Sequence, residues 1–452
     1  MRMIYLSPVP WASFSQRSHH FVNWYHAQTQ AQVLWIDPYP TRLPAHSDFT
    51  RKAAAPSEKE RPPEWLQVVK PKVLPIEPIP GSGLLQTLLW REVLKKALAF
   101  AAESSCMICI GKPSKLALQL LERLPESYAT YDAMDDFPAF YQGFSRRSMA
   151  AHERLERVSK ILVSSTAIGK NLSTMADKVE LARNACDIQE LAPIESLALG
   201  AKQQLLGYVG TIASWFDWDL IIALAQANPD NRIQLIGPLF TPPPCLLPGN
   251  VELLPERPYA EAIAAMATFS VGLIPFKLNR LTASVDPIKY YEYRSLGLSV
   301  ISTRFGEMAL RDEETAVWLI DENSDLRRTS RQALDYRCNV SKIQEFRRNN
   351  LWATRFSATR LLSDACAAPL CPRQPIDCSI SSPGRYQLND ISNGQPLDDR
   401  RTTFTRDMAC QSGDTRRPPA VVEAQADHTL ADGSECLGKV DLGLCPGTAP
   451  VG

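Results

Sequence analysis

Short apolar runs alternate with segments of helical period along most of the chain, and this alternation restricts the architecture more than any other feature. "MIYLS" predicts a strand, "SHHFVNWYHAQT" a helix and "QVLWIDP" the next strand. Apolar strands that alternate with helices form parallel sheets, because each parallel connection crosses over through a helix that covers the sheet. The pattern continues through "CMICIGKP", "SKLALQLLERL", "YATYDAMDDF", "RVSKILVSSTAIGKNL" and "VELARNACD". A second series opens with "LLGYVGTI" and runs through "IQLIGP", "VELLP", "FSVGLIPF", "SVIST" and "AVWLID", separated by helix-length stretches such as "WDLIIALAQAN" and "YAEAIAAMAT". The expected fold class is α/β with two Rossmann-like domains facing a cleft. The expected boundaries are residues 1–195 and 196–365, with a helix in "SKIQEFRRNNLWATRFSATRLLSDAC" closing the second domain. From 366 to 452 the composition shifts to Pro, Ser, Asp, Arg and Cys without apolar periodicity, which predicts a disordered tail.

A chain of 452 residues, 45% of them hydrophobic, suffices for two such cores. Lys plus Arg and Asp plus Glu both number 49, so no net field draws the molecule to nucleic acid, and none is expected as a partner. The apolar run in "MRMIYLSPVPWASF" is too short for a signal peptide, and no run is long enough to span a bilayer, so a cytoplasmic protein is expected. "LLQTLLWREVLKKALAFAA" carries Lys and Arg opposite its apolar face. It reads as a core-facing helix, with weak peripheral association at the inner face of a membrane as the alternative. Cys106 and Cys109 share one strand without a second pair nearby, so buried free thiols are expected rather than zinc or redox chemistry.

Ligands of open α/β sheets bind outside the carboxyl ends of the strands. The turn after "LLGYVG" ends a strand at Gly210 and soon opens a helix, an arrangement that brings backbone N–H groups close to a phosphate. In "DPIKYYEY", Pro287 suits the first helical turn and Asp286 its N-cap, leaving Lys289 and Glu292 on one face. Two readings fit: a capped helix with a surface ion pair, or a helix end that meets a diphosphate, with Asp286 among the donor-binding residues and Glu292 accepting hydrogen bonds from a ribose or sugar diol. Trp215 in "SWFDW" suits either a sugar or base face or the core.

The run "GLIPFKLNRLTASVDPIKYYEYRSLGLSVIST" resembles the donor-sugar motif of GT-B glycosyltransferases close to glycosyltransferase family 4 and its bacterial polysaccharide relatives, typically "PxKxYEYLAxGxPVVST". "SPVPWASFSQRSHHF", "YDAMDDF" and "YVGTIASWFDWDLIIALAQANPDNRIQLIGP" are similar to other segments of these transferases. The resemblance implies a ribose-binding role for Glu292 and a nucleotide diphosphate sugar as co-substrate, with no further cofactor and no essential metal. It also implies a hexosyltransferase-type activity toward a glycan or lipid-linked glycan in surface polysaccharide assembly. Three departures stand out. Ser284 occupies the position eight before Glu292 where a second glutamate is common, "TIASWFDWD" lacks an Arg and a Lys, and "ARNACD" puts Ala185 where a glycine is usual. Retention or inversion therefore stays open, and Lys277 or Lys289 is expected to supply the diphosphate's positive partner.

For the acceptor side, "YDAMDDF" offers Asp132, Asp135 and Asp136 at a strand end, with Asp135 the first choice for a base and Asp136 for binding the acceptor. Helix-capping aspartates are the structural alternative. In "QRSHH", His20 is a second candidate to assist deprotonation and Arg17 a candidate to hold an anionic acceptor. Two other functions suit the same architecture: a nucleotide-sugar epimerase, and an inactive donor-binding partner subunit.

Overall fold

The structure, a computed structural model, describes residues 1–367 except position 14, residues 42–60, 75–76, 78, 80–82, 141–154, 156, 189–190 and 198–203. The tail expected from 366 onward lies outside the described residues, save its first two positions.

Seven parallel strands form the first sheet: β1 (Arg2–Leu6), β2 (Val33–Ile36), β3 (Leu66–Val69), β4 (Cys106–Ile110), β5 (Tyr128–Ala133), β6 (Lys160–Val163) and β7 (Val179–Leu181), in the order β3-β2-β1-β4-β5-β6-β7. Six more form the second: β8 (Leu205–Val209), β9 (Arg232–Ile236), β10 (Val251–Leu254), β11 (Val271–Ile274), β12 (Ser299–Thr303) and β13 (Val317–Ile320), in the order β10-β9-β8-β11-β12-β13. Every residue of β4 and β8 is buried, as expected of strands covered by helices on both faces. In register, Met3 of β1 lies between Val33 of β2 and Met107 of β4. The two expected Rossmann-like sheets are thus present. Each has a switch point where the strand order reverses, between β1 and β4 and between β8 and β11.

Three features differ from the sequence reading. β3, "LQVV", was not anticipated; it is a half-buried edge strand between prolines, and four residues carry little periodicity. The long helix expected around "LLWREVLKKALAF" is two helices, Gly83–Leu89 and Arg91–Ala102, joined at Trp90, whose buried indole Nε1 donates to Gln119 at 2.7 Å. The second of these buries Val93, Leu94, Ala97, Phe100 and Ala101 in the first core, which is the core-facing reading. The closing helix is also divided. Val340–Asn349 packs on the second sheet through Ile343, whereas Trp352–Ser357 and Leu361–Ala367 cross back to the first. There Trp352, Phe356 and Leu361 join Phe21, Trp24 and Tyr25 of the helix Arg17–Thr29, and the Trp24 indole donates to Ser357 at 2.9 Å.

Side chains tie the two halves together at the carboxyl ends of β5 to β7. Ser165 donates to the Ser284 carbonyl at 2.7 Å. Glu307 accepts from the Thr166 N–H at 2.7 Å and pairs with Arg183 at 2.6 Å. The loops after β6 and β7 therefore face the loops after β11 and β12, which sets the carboxyl ends of the sheets toward one another.

Candidate functional site

At the carboxyl end of β8, Gly210 donates its N–H to the Ile236 carbonyl at 2.9 Å and adopts φ +154°. Its neighbour across the strands, Gly237, has φ +145°, and a Cβ there would sit 2.1 Å from the Gly210 oxygen. Gly237 needs glycine because a Cβ there would strike the Gly210 backbone, and Gly210 because of its positive φ and the Tyr208 hydroxyl that a Cβ would meet at 2.9 Å. A Cβ on Gly210 would lie 3.3 Å from Lys289 Cε, so the Lys289 side chain lies directly against this turn.

Lys289 stands on the helix Ile288–Ser295, one turn before Glu292, and its Nζ donates to Glu292 Oε2 at 2.7 Å. Glu292 is only 2% exposed, so the pair is not a solvated surface ion pair. Its other oxygen, Oε1, accepts from Tyr259 Oη at 3.2 Å. Gly210, Lys289 and Glu292 therefore converge at the switch point between β8 and β11. Lys277 follows β11, with its side chain exposed and its N–H donating to the Trp215 carbonyl at 2.8 Å. Trp215 is half-buried beside it, and Asp217 caps the helix Trp218–Ala227.

The capping role expected for Asp286 requires correction. Pro287 occupies the N-cap in extended conformation and the helix starts at Ile288. The Asp286 carboxylate turns inward instead, accepting from Arg311 at 2.8 Å, Tyr291 Oη at 2.9 Å and the Asn184 N–H at 2.8 Å. Arg311 also lies over the Tyr290 ring, 3.9 Å from its centroid. A buried carboxylate settles where a buried cation compensates it, and that cation lies 25 residues downstream.

From the first sheet, Asp135 and Asp136 follow β5. Asp135 is half-buried, and its carboxyl is pushed up to about 7 by loss of hydration, opposed by the Arg17 charge and reinforced by Asp132 and Asp136. Asp136 is also raised, chiefly by burial, against the pull of Arg280 and a hydrogen bond from Ser284. It therefore faces the loop that follows β11. Asp132 does not join them: it is fully buried, with Arg17 donating to Oδ1 through Nε at 2.9 Å. Arg17 Nη1 donates to the Ala182 carbonyl at 2.6 Å and to Asn184 Oδ1 at 3.4 Å, so it braces the turn after β7 from within. His20 stacks on Trp352 with ring centroids 5.1 Å apart, and its Nδ1 lies 3.9 Å from Asp187 Oδ2. No cluster of three potential metal ligands occurs among the described residues.

Tyr259 and Asp187 escaped the sequence reading. Asp187 accepts from the Trp352 N–H at 3.0 Å, and its charge reaches Tyr259, as does that of Glu292. Burial first, then these two carboxylates, hold the Tyr259 phenol above its ordinary range. Tyr259 opens a helix directly after β10, the end of the sheet where ligands bind; that placement was the signal available in the sequence.

No family profile matches the chain. It is 25% identical over 164 residues to "Putative teichuronic acid biosynthesis glycosyltransferase TuaH" of Bacillus subtilis (strain 168), a match that spans 33% of this chain and 41% of the relative. Among solved structures it resembles sucrose-phosphate synthase from Thermosynechococcus elongatus, with TM-score 0.53, 14% identity, and coverage of 82% of this chain and 100% of that one. It also resembles an alpha,alpha-trehalose-phosphate synthase (UDP-forming) from Burkholderia vietnamiensis, with TM-score 0.51, 12% identity, and coverage of 82% and 98%. The chain shares the paired Rossmann-like architecture of these enzymes, the GT-B arrangement that its sequence resembles.

Proposed function

We propose that this protein is a glycosyltransferase that moves a hexose from a nucleotide diphosphate sugar to a glycan or lipid-linked glycan during surface polysaccharide assembly. The observation that carries the proposal is the convergence of Gly210, Lys289 and Glu292 at the switch point of the second sheet. In this reading the Gly210 turn, the N-terminus of the helix Ile288–Ser295 and Lys289 meet the diphosphate. Cations and oriented backbone dipoles stabilise the charge that develops on it as the sugar departs. Glu292 accepts hydrogen bonds from the ribose hydroxyls, and Lys277 adds positive charge at the rim.

On the opposite wall, Asp135 takes the proton of the attacking acceptor hydroxyl. A carboxyl that titrates at about 7 is a stronger base than an ordinary aspartate and is still substantially ionised near neutral pH. Asp136 orients the acceptor. His20, paired with Asp187 and packed on Trp352, is the alternative base, and Arg17 acts behind the site rather than on the acceptor. The similarity to a protein named for teichuronic acid biosynthesis supports the polysaccharide acceptor, and the UDP-forming enzyme of the same fold supports a nucleotide donor.

Calorimetry of the full chain with UDP, GDP and TDP, without added metal, tests the donor site. Binding of one nucleotide is expected. Release of nucleoside diphosphate that depends on an added glycan acceptor then distinguishes transfer from epimerisation, which needs no acceptor. Absence of nucleotide binding in folded protein would overturn the proposal.

A further inference from the structure

Glu292 presents a carboxylate with roughly four acceptor positions, two on each oxygen. In this structure two are occupied, one per oxygen: Lys289 Nζ donates to Oε2 at 2.7 Å and Tyr259 Oη to Oε1 at 3.2 Å. One position is left on each oxygen, which matches the two donors of a vicinal diol.

The two occupants also stand differently. Lys289 shares the helix Ile288–Ser295 with Glu292, whereas Tyr259 comes from the start of a neighbouring helix, Tyr259–Ala267. Both helices bury their apolar residues in the same core, Ile263 and Met266 from one and Tyr290 and Tyr293 from the other. The phenol thus reaches the carboxylate from a fixed second direction. It is 41% exposed, whereas the carboxylate it reaches is 2% exposed. The phenol keeps its proton at neutral pH, so it approaches Glu292 only as a donor.

We propose that Tyr259 is a positioning residue that makes the site selective for a ribonucleotide over a deoxyribonucleotide donor, by fixing the Glu292 carboxylate so that each oxygen offers one acceptor to the 2′,3′-diol. This rests on the reading of Glu292 as the ribose contact. Without the phenolic hydroxyl, Oε1 has a second open acceptor position and the carboxylate loses one of its two anchors. The diol is then held less well, and a ligand lacking the 2′-hydroxyl suffers less.

The test is calorimetry of the full chain with two matched pairs, UDP and 2′-deoxy-UDP, and GDP and 2′-deoxy-GDP, on the wild type and Tyr259→Phe. The wild type is expected to prefer the ribo form of the pair it binds. Tyr259→Phe should weaken the ribo form roughly fivefold, the size of one lost hydrogen bond, and leave the deoxy form nearly unchanged, so that the preference collapses. A preserved preference in Tyr259→Phe overturns the inference and leaves the ribose reading of Glu292 standing. Equal weakening of both forms, with a lowered melting temperature, also overturns it and assigns Tyr259 to packing. A wild type that binds both forms alike, or neither pair, overturns the Glu292 reading itself and the inference with it.

Discussion

Asp135 is a residue whose environment works against stability and in favour of basicity. Its carboxyl titrates at about 7 in the folded protein, while an unfolded aspartate titrates near ~4. A raised carboxyl stabilises the fold at low pH, and that contribution disappears as the pH rises through about 7, because the folded state must then hold a desolvated charge. Asp135→Asn is therefore expected to raise the melting temperature at pH 8 and to leave it nearly unchanged at pH 4. If Asp135 is the base, kcat/KM of the wild type rises through an acid limb near 7, and Asp135→Asn retains nucleotide affinity while losing turnover by about 100-fold or more. Glu292→Ala should weaken nucleotide binding by roughly 10- to 100-fold, the range for charge-assisted hydrogen bonds. Wild-type affinity in folded Glu292→Ala would remove Glu292 from the donor site. Asp135 and Glu292 were both legible as candidates because each follows a recognisable strand or helix signal; the perturbed titration of Asp135 was not, since it depends on desolvation.

Among the elements, the turn at the end of β8 and the helix Ile288–Ser295 act as one unit. Gly237→Ala would drive a methyl group against the Gly210 carbonyl, 2.1 Å from where its Cβ would sit. The turn must shift, so nucleotide affinity should fall by about 10-fold, with a stability loss on the order of 1–3 kcal/mol for the strained backbone. Calorimetry and denaturant unfolding measure the two effects separately. The same helix is anchored from behind by Asp286, Tyr291 and Arg311. Arg311→Ala leaves the Asp286 carboxylate buried without its cation and should destabilise the protein by about 3–5 kcal/mol in urea unfolding. The sequence indicated the helix. It did not indicate the N-cap, because Asp286 suits a cap chemically and only Arg311, distant in the chain, turns it inward.

At the scale of the molecule, the chain leaves the first sheet, builds the second and returns. Phe356 lies fully buried against Phe21, with ring centroids 5.1 Å apart, although 335 residues separate them. Phe356→Ala should cost about 3–5 kcal/mol and raise amide exchange in β1 and β2 more than in β8 and β9, since the cavity opens under the first sheet. Uniform change across both sheets would count against this placement of the return helices. Glu307 ties the halves together near the cleft. Burial pushes its carboxyl up, but hydrogen bonds from Thr166 and Arg183 outweigh it and leave it below the ordinary range. Its contribution is present at neutral pH and fades as the pH falls through that lowered value. Among the described residues, no helix is long and apolar enough to cross a membrane.

The sequence by itself determined both sheets apart from the edge strand β3, since apolar runs such as "CMICI" and "SVIST" alternate with helical periods and a parallel sheet is the arrangement that buries both faces of such strands. It also marked Gly210, Lys289 and Glu292 through local spacing on one turn and one helix. The tertiary structure alone decided which charges are paired in the interior and which are not. Asp132 and Asp286 are drawn into the interior by Arg17 and Arg311, Asp135 is left half-buried with a raised carboxyl, and Tyr259 is carried to Glu292 by a neighbouring helix. The division has one physical cause. Periodicity and turn chemistry act over a few residues and are written in order along the chain, whereas desolvation and ion pairing depend on partners that only folding brings together.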